Sequence, residues 1–191
     1  MKKLGNIIII ISIILFGLTF YIYKTKYATF KKYEYKKNAD AAIYYKLNEI
    51  SKIYFKMQNN RYLVWNKAKE KNLTVEYISS ITKIDQKKLN NKYCLKIKNS
   101  PKNTIKCIDE YYKNEDVEQF IQAEISEINM LLPLTISSDV ESRSQTVLYL
   151  FEDMKKLKVD INGDDNKFYQ KFKEIKNELE NELTDIRKKI V

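Results

Sequence analysis

The chain has 191 residues and a formal charge of +10, from 35 lysines and arginines against 25 acids. That length holds one domain of ordinary size with an appendage and excludes a long multidomain enzyme. With no histidine and only two cysteines, histidine acid–base catalysis, histidine metal sites and cysteine-rich zinc modules are excluded by count.

Three glycines and two prolines leave little material for turns. Gly5 and Gly17 lie in an apolar run and Gly163 stands alone, so no glycine-rich phosphate cradle can be built, and the chain should be mainly α. Only Arg61, Arg143 and Arg187 are arginine; the other basic residues are lysine. This bias reads as an AT-rich genome and as solvated faces, and it argues against nucleic acid as a partner.

Residues 1–3 form a basic tail, and residues 4–23 form an uncharged apolar run. Twenty helical residues span about 30 Å, the thickness of a bilayer's hydrocarbon core. The run closes on Phe20-Tyr21-Ile22-Tyr23 without the small-residue exit of a cleaved signal peptide. It is therefore read as a transmembrane signal anchor, a cleaved signal being the alternative. Tyr21, Tyr23, Lys24 and Lys26 are the expected membrane-interface anchor. Two signals for topology oppose each other: Lys2 and Lys3 favour a cytoplasmic N-terminus, whereas the lysines at 24–37 favour a cytoplasmic C-terminal part. The short-tail layout favours a single-pass protein of a bacterial inner membrane with a periplasmic C-terminal domain, and the reverse topology is its rival.

Residues 24–57 carry no glycine or proline and are expected to continue outward as a stalk helix. Ile43, Leu47, Ile50, Tyr54 and Met57 step by four and three along it. The stripe is a candidate interaction seam, or else the buried stripe of a helix packed on its own domain. Residues 58–191 make up the expected domain. Gln58-Asn59-Asn60 is expected to break the helix, with short helices following over 62–71, 74–82 and 85–90, the last capped by Asp85. Between residues 93 and 108 the apolar period shifts to two around Asn99-Ser100-Pro101-Lys102, which predicts a β-hairpin. Cys94 and Cys107 then face each other as a cross-strand disulfide.

Val117, Phe120, Ile121, Glu124, Ile125, Ile128 and Leu131 stripe the next helix, which Pro133 ends. A capping box at Ser138-Asp139-Val140-Glu141 opens another, with Val140, Val147, Leu150, Phe151, Met154 and Leu157 turned inward. Phe168, Phe172, Ile175, Leu179, Leu183, Ile186 and Ile190 line a long C-terminal helix. Charge is uneven: residues 24–114 hold 22 basic against 8 acidic side chains, whereas 115–153 hold one arginine against nine acids. The acidic helices are expected to pack against the basic half, or to offer a second docking face.

No catalytic, cofactor-binding or metal residues can be nominated. Residues 160–165 resemble a calcium loop, but its sixth position is Asp165 and its twelfth Lys171. No serine has a histidine partner, and Ser79 and Ser80 precede Lys83 only on a short, otherwise apolar helix with no glycine-built oxyanion loop. Glu174, Glu178 and Glu182 read as a salt-bridged solvent face.

Residues 73–89, Leu-Thr-Val-Glu-Tyr-Ile-Ser-Ser-Ile-Thr-Lys-Ile-Asp-Gln-Lys-Lys-Leu, resemble the helix-turn-helix of bacterial regulators. With a helix before and a hairpin after, the order is that of a winged-helix domain. The resemblance implies a membrane-tethered DNA-binding regulator. Ser79 and Lys83 stand where that family has a small alanine and a turn glycine.

The fold expected is a transmembrane helix and stalk followed by a helical domain with one β-hairpin. The function expected is non-catalytic: an accessory or scaffold subunit of a bacterial envelope complex of flagellar-motor, secretion or pilus type. Its partners would be other membrane or periplasmic proteins and the bilayer, with a homo-oligomer allowed. A DNA-binding regulator, and a membrane-anchored sensor or immunity module, are the alternatives.

Overall fold

The computed structural model describes residues 38–70, 73–97, 100–159 and 165–190. The apolar run at 4–23, its interface residues Tyr21, Tyr23, Lys24 and Lys26, and the turn at 162–164 lie outside them. Among the described residues no helix is long and apolar enough to cross a membrane.

Six α-helices account for most of the described chain: α1 (38–70), α2 (Val75–Thr82), α3 (Pro101–Asn114), α4 (Val117–Leu131), α5 (Ser138–Lys156) and α6 (Asp165–Ile190). Short 3-10 turns sit at Gln86–Leu89, Cys94–Lys96 and Leu132–Leu134. No residue of α1 is glycine or proline. The helix therefore runs straight through the expected break at Gln58-Asn59-Asn60, and at 1.5 Å per residue it is about 50 Å long.

The reason it does not break is tertiary. Gln58 and Asn60 are buried, and their side-chain amides are bonded to other elements. Gln58 Nε2 donates to the Met154 carbonyl at 2.7 Å. Asn60 Nδ2 donates to the Tyr112 hydroxyl at 2.8 Å. A polar triplet that looks like a loop in the sequence is the helix's contact with two neighbours.

The first core packs α1, α4, α5 and α6 as a four-helix bundle. Asp40 accepts from Ile136 N at one end and Gln58 reaches Met154 further along, so α1 and α5 run parallel. Lys46 pairs with Glu124 and Glu127, and Lys155 with Glu118, which sets α4 antiparallel to both. Arg143 pairs with Glu182 while Tyr62 stacks on Phe168 and Tyr169, so α6 also runs antiparallel. The apolar stripes of α5 and α6 face inward as expected, Leu157 and Ile190 being only half-buried. The cap of α5 is one residue earlier than expected: Ser137 Oγ accepts from Val140 N.

The second core lies along the far part of α1. Val64 packs there with Leu73, Ile78, Ile84, Leu89, Ile97, Ile108, Tyr112 and both cysteines. Thr74 caps α2, and Lys83 closes it in the left-handed region at φ 58°. Asp85 caps one 3-10 turn as expected, its carboxylate accepting from Lys87 N.

The β-hairpin at 93–108 is not present; no strand occurs among the described residues. Residues 101–114 form α3 instead. Ser100 is its N-cap, accepting from Asn103 N at 3.2 Å, and Pro101 opens its first turn. The Ser-Pro pair read as a turn is therefore a helix start. Burial confirms the period: Thr104, Ile105, Cys107, Ile108 and Tyr112 are buried while Lys106 is exposed, a helical spacing that a four-residue window mimics as alternation. Cys94 and Ile97 are both buried with Leu95 73 % exposed between them, the spacing of one turn and not of a strand.

Cys94 and Cys107 are nonetheless bonded, with Cα atoms 4.7 Å apart. The bridge ties a 3-10 turn to the middle of α3. Asn91 completes the tie, accepting from Tyr93 N and Cys94 N and donating to the Cys107 carbonyl. Closing a loop of this length stabilises the fold by about 3 kcal/mol in a chain-entropy account.

Two stability outcomes follow. The paired change Cys94→Ala with Cys107→Ala lowers the unfolding free energy by about 2–4 kcal/mol, and added reductant then has no further effect in urea melts followed by Trp65 fluorescence. Ser144→Ala leaves stability unchanged or raises it, because the buried Ser144 hydroxyl has no hydrogen-bond partner; a loss of more than about 1 kcal/mol in the same melts contradicts this.

Candidate functional site

Two surface features stand out where the elements meet. The first is a cleft at the junction of the two lobes. Successive turns of α1 bring Tyr54, Gln58 and Arg61 to it, α3 brings Lys102, Lys106 and Asp109, and α4 brings Glu118. The last turn of α5 adds Lys155, and the chain just after it adds Lys158. Two adjoining cavities, about 260 and 200 Å³, share Arg61 and Lys155 as walls. Arg61 Nε donates to Asp109 Oδ1 at 2.6 Å, and Lys155 Nζ lies 2.7 Å from Glu118 Oε1.

Electrostatics here follow burial. Tyr54 is packed against Phe151, and burial, with the charges of Glu152 and Glu118 adding to it, pushes its phenol up to about 12. Burial also pushes Tyr112 up to about 12, opposed by its hydrogen bond from Asn60. Hydrogen bonds to Glu118, against a smaller opposing effect of burial, raise Lys155 above the usual lysine value.

The second feature is the bundle end at which the described part of α1 begins. Met130 is 65 % exposed and Ile136 41 % exposed, and Ile136 N donates to Asp40 in the first described turn of α1. Tyr45, 67 % exposed, lies a turn and a half further along α1. The last turn of α6 carries Arg187, Lys188 and Lys189 to the same end, where Lys189 pairs with Asp139. Exposed large apolar side chains at one end of a small domain mark a contact surface better than singly scattered ones.

The candidate seam is placed elsewhere. Ile43, Leu47, Ile50 and Tyr54 are buried in the bundle core, and Met57 is half-buried against the second lobe. The stripe packs on this chain's own helices and presents no seam to a partner. The true spacing drifts to Gln58 after Tyr54 because a straight helix repeats at 3.6 and not 3.5.

The acids of α4 and α5 are also used internally. Glu118, Glu124 and Glu127 pair with Lys155 and Lys46, and Arg143 gathers Asp139, Glu182 and Asp185. Two of the three arginines thus sit in ion-pair junctions between helices.

The helix-turn-helix resemblance ends at α2. Its second helix is only the 3-10 turn Gln86–Leu89, and a helix, α3, occupies the place of the wing. No recognition helix is available for a major groove among the described residues. Nor do three or more His, Cys, Asp or Glu side chains gather as a metal site among them. Comparison of the chain with family models, curated proteins and solved structures finds no match.

Neither feature was visible in the sequence reading. Met130 and Ile136 flank the apolar Leu-Leu-Pro-Leu stretch, a signal that was absorbed into the end of α4. The cleft is assembled from lysines indistinguishable in sequence from the many on solvated faces.

The two buried phenols set an alkaline limit. Their folded values lie above the ordinary 10, so the stability they contribute is complete below pH 10 and is lost as pH rises toward 12. The expected titration at 295 nm shows a late step from Tyr54 and Tyr112, ionising with unfolding. Tyr54→Phe with Tyr112→Phe removes that late step; its persistence contradicts the assignment.

Proposed function

We propose that the protein is a non-catalytic, membrane-anchored accessory subunit of a multiprotein bacterial envelope complex, whose exported helical domain acts by docking partner proteins. The observation that carries this reading is the Cys94–Cys107 bond. Both sulfurs belong to the second core, which is small enough to depend on a covalent tie. Such bonds form and persist in oxidising compartments and are rare in a reducing cytosol. The periplasm is the oxidising compartment reached by a domain that follows an apolar run such as 4–23.

Docking is the mechanism the surfaces favour. Met130, Ile136 and Tyr45 supply apolar anchors, and Arg187 and Lys188 supply a polar rim at the bundle end where the described part of α1 begins. A complex of flagellar-motor, secretion or pilus type is proposed by analogy with the architecture of anchor and compact domain, and not from any residue of the site. The loss of a recognition helix removes the geometric basis for the DNA-binding alternative.

Trapping thiols in intact cells with a membrane-permeant alkylator tests the compartment. Cys94 and Cys107 are expected to react only after reduction; reaction without reduction places the domain in the cytosol and ends this reading. Mild detergent extraction tests the docking face. Met130→Glu with Ile136→Glu is expected to abolish copurification of partner proteins while shifting stability by no more than about 0.5 kcal/mol, both side chains being exposed. Unchanged copurification overturns the docking assignment.

A further inference from the structure

Five cationic side chains converge on the cleft between the lobes, and two acids accompany them among the described residues. The cations come from separate segments: Arg61 from α1, Lys102 and Lys106 from α3, Lys155 from the last turn of α5, and Lys158 from the chain just after it. Positions this far apart in sequence are not a run of lysines along one solvated helix face. Arg61 bonds Asp109 through Nε alone, which leaves its terminal nitrogens without a partner among the described residues. Lys102 and Lys158 are exposed and have no ion pair there either.

The end of α5 would ordinarily oppose an anion, because its last carbonyls carry the negative pole of the helix. Gln58 offsets this: its Nε2 donates to the Met154 carbonyl at 2.7 Å and reaches that of Leu157 at 3.5 Å. Because those two acceptors are carbonyls, the amide's orientation is determined and Oε1 is turned away from them. Gln58 is fully buried, its Oε1 has no hydrogen-bond partner, and it lines the smaller cavity beside Arg61 and Lys155. Its part is therefore to neutralise the carbonyls at the end of α5, while the ligand's contacts are the cations of the larger cavity, which ask for an acceptor of several hydrogen bonds.

We propose that this cleft binds a small soluble anion bearing a phosphate group, its oxygens accepting from the lysines and Arg61 that line the larger cavity. The larger cavity, about 260 Å³, holds the phosphate with a small organic residue and not a macromolecule. A phospholipid head group offers the same chemistry. The titration below separates the two sources. The binding chemistry itself does not depend on the docking reading.

Calorimetric titration of the full, oxidised chain in neutral detergent with inorganic phosphate tests the site. Saturable binding with a Kd of about 1 mM or tighter is expected, weakening with added sodium chloride. The double change Lys102→Gln with Lys158→Gln, its helicity checked by circular dichroism, is expected to weaken binding roughly tenfold by removing two of the five charges. Absence of saturation, equal affinity of the double variant, or equal binding of chloride overturns the proposal. Binding to phosphatidylcholine vesicles containing phosphatidic acid, without binding of free phosphate, assigns the site to a head group and overturns the soluble source.

Discussion

The continuity of α1 through Gln58 and Asn60 is the constraint on which the rest of the structure depends. One helix supplies a wall to both cores, and its two buried amides join them. Gln58 holds the last turn of α5 in the bundle, while Asn60 holds Tyr112 and, at 3.4 Å, the Thr82 carbonyl in the second lobe. Replacing either amide with an apolar side chain would strand a buried acceptor or hydroxyl on a different element. The polar residues thus fix how the lobes sit along the helix, and apolar packing supplies the bulk of the stabilisation.

The second lobe shows how a chain poor in turn formers makes turns. Glycine is absent from it, so chain reversals use side-chain caps: Thr74, Asp85, Asn91 and Ser100 each accept from backbone N–H groups one turn ahead. Lys83 and Asp116 adopt the left-handed region that glycine would occupy more cheaply. The disulfide then closes a lobe whose elements are too short to hold by propensity alone.

Much of the bundle was legible. The stripes of α5 and α6 are long, strictly helical in period and free of breakers, and they are buried as read. The disulfide was legible for a partly wrong reason: both cysteines face one core, but from a 3-10 turn and a helix and not from paired strands. The hairpin failed because four-residue windows cannot separate period two from one helical turn, and because Ser-Pro serves turns and helix starts alike. The break at 58–60 failed because partners 22 to 99 residues away in sequence decide whether Gln and Asn are loop or core. The seam from Ile43 to Met57 was legible as a buried stripe, while which surface it meets is a tertiary fact. The basic cleft was illegible, since lysine spacing carries no information about convergence.

The functional account joins an apolar run, a buried disulfide and an exposed apolar end to a domain that needs both its lobes. If α1 is one helix under native conditions, the compact domain is a single cooperative body able to carry a docking face at one end and a ligand cleft some 35 Å away. Native-state hydrogen exchange across α1 tests this most directly. The account predicts that backbone amides from residue 58 to 62 exchange as slowly as those from 43 to 50, both limited by global unfolding. Rapid exchange confined to 58–62 would show two separable bodies joined by a hinge, and would contradict it.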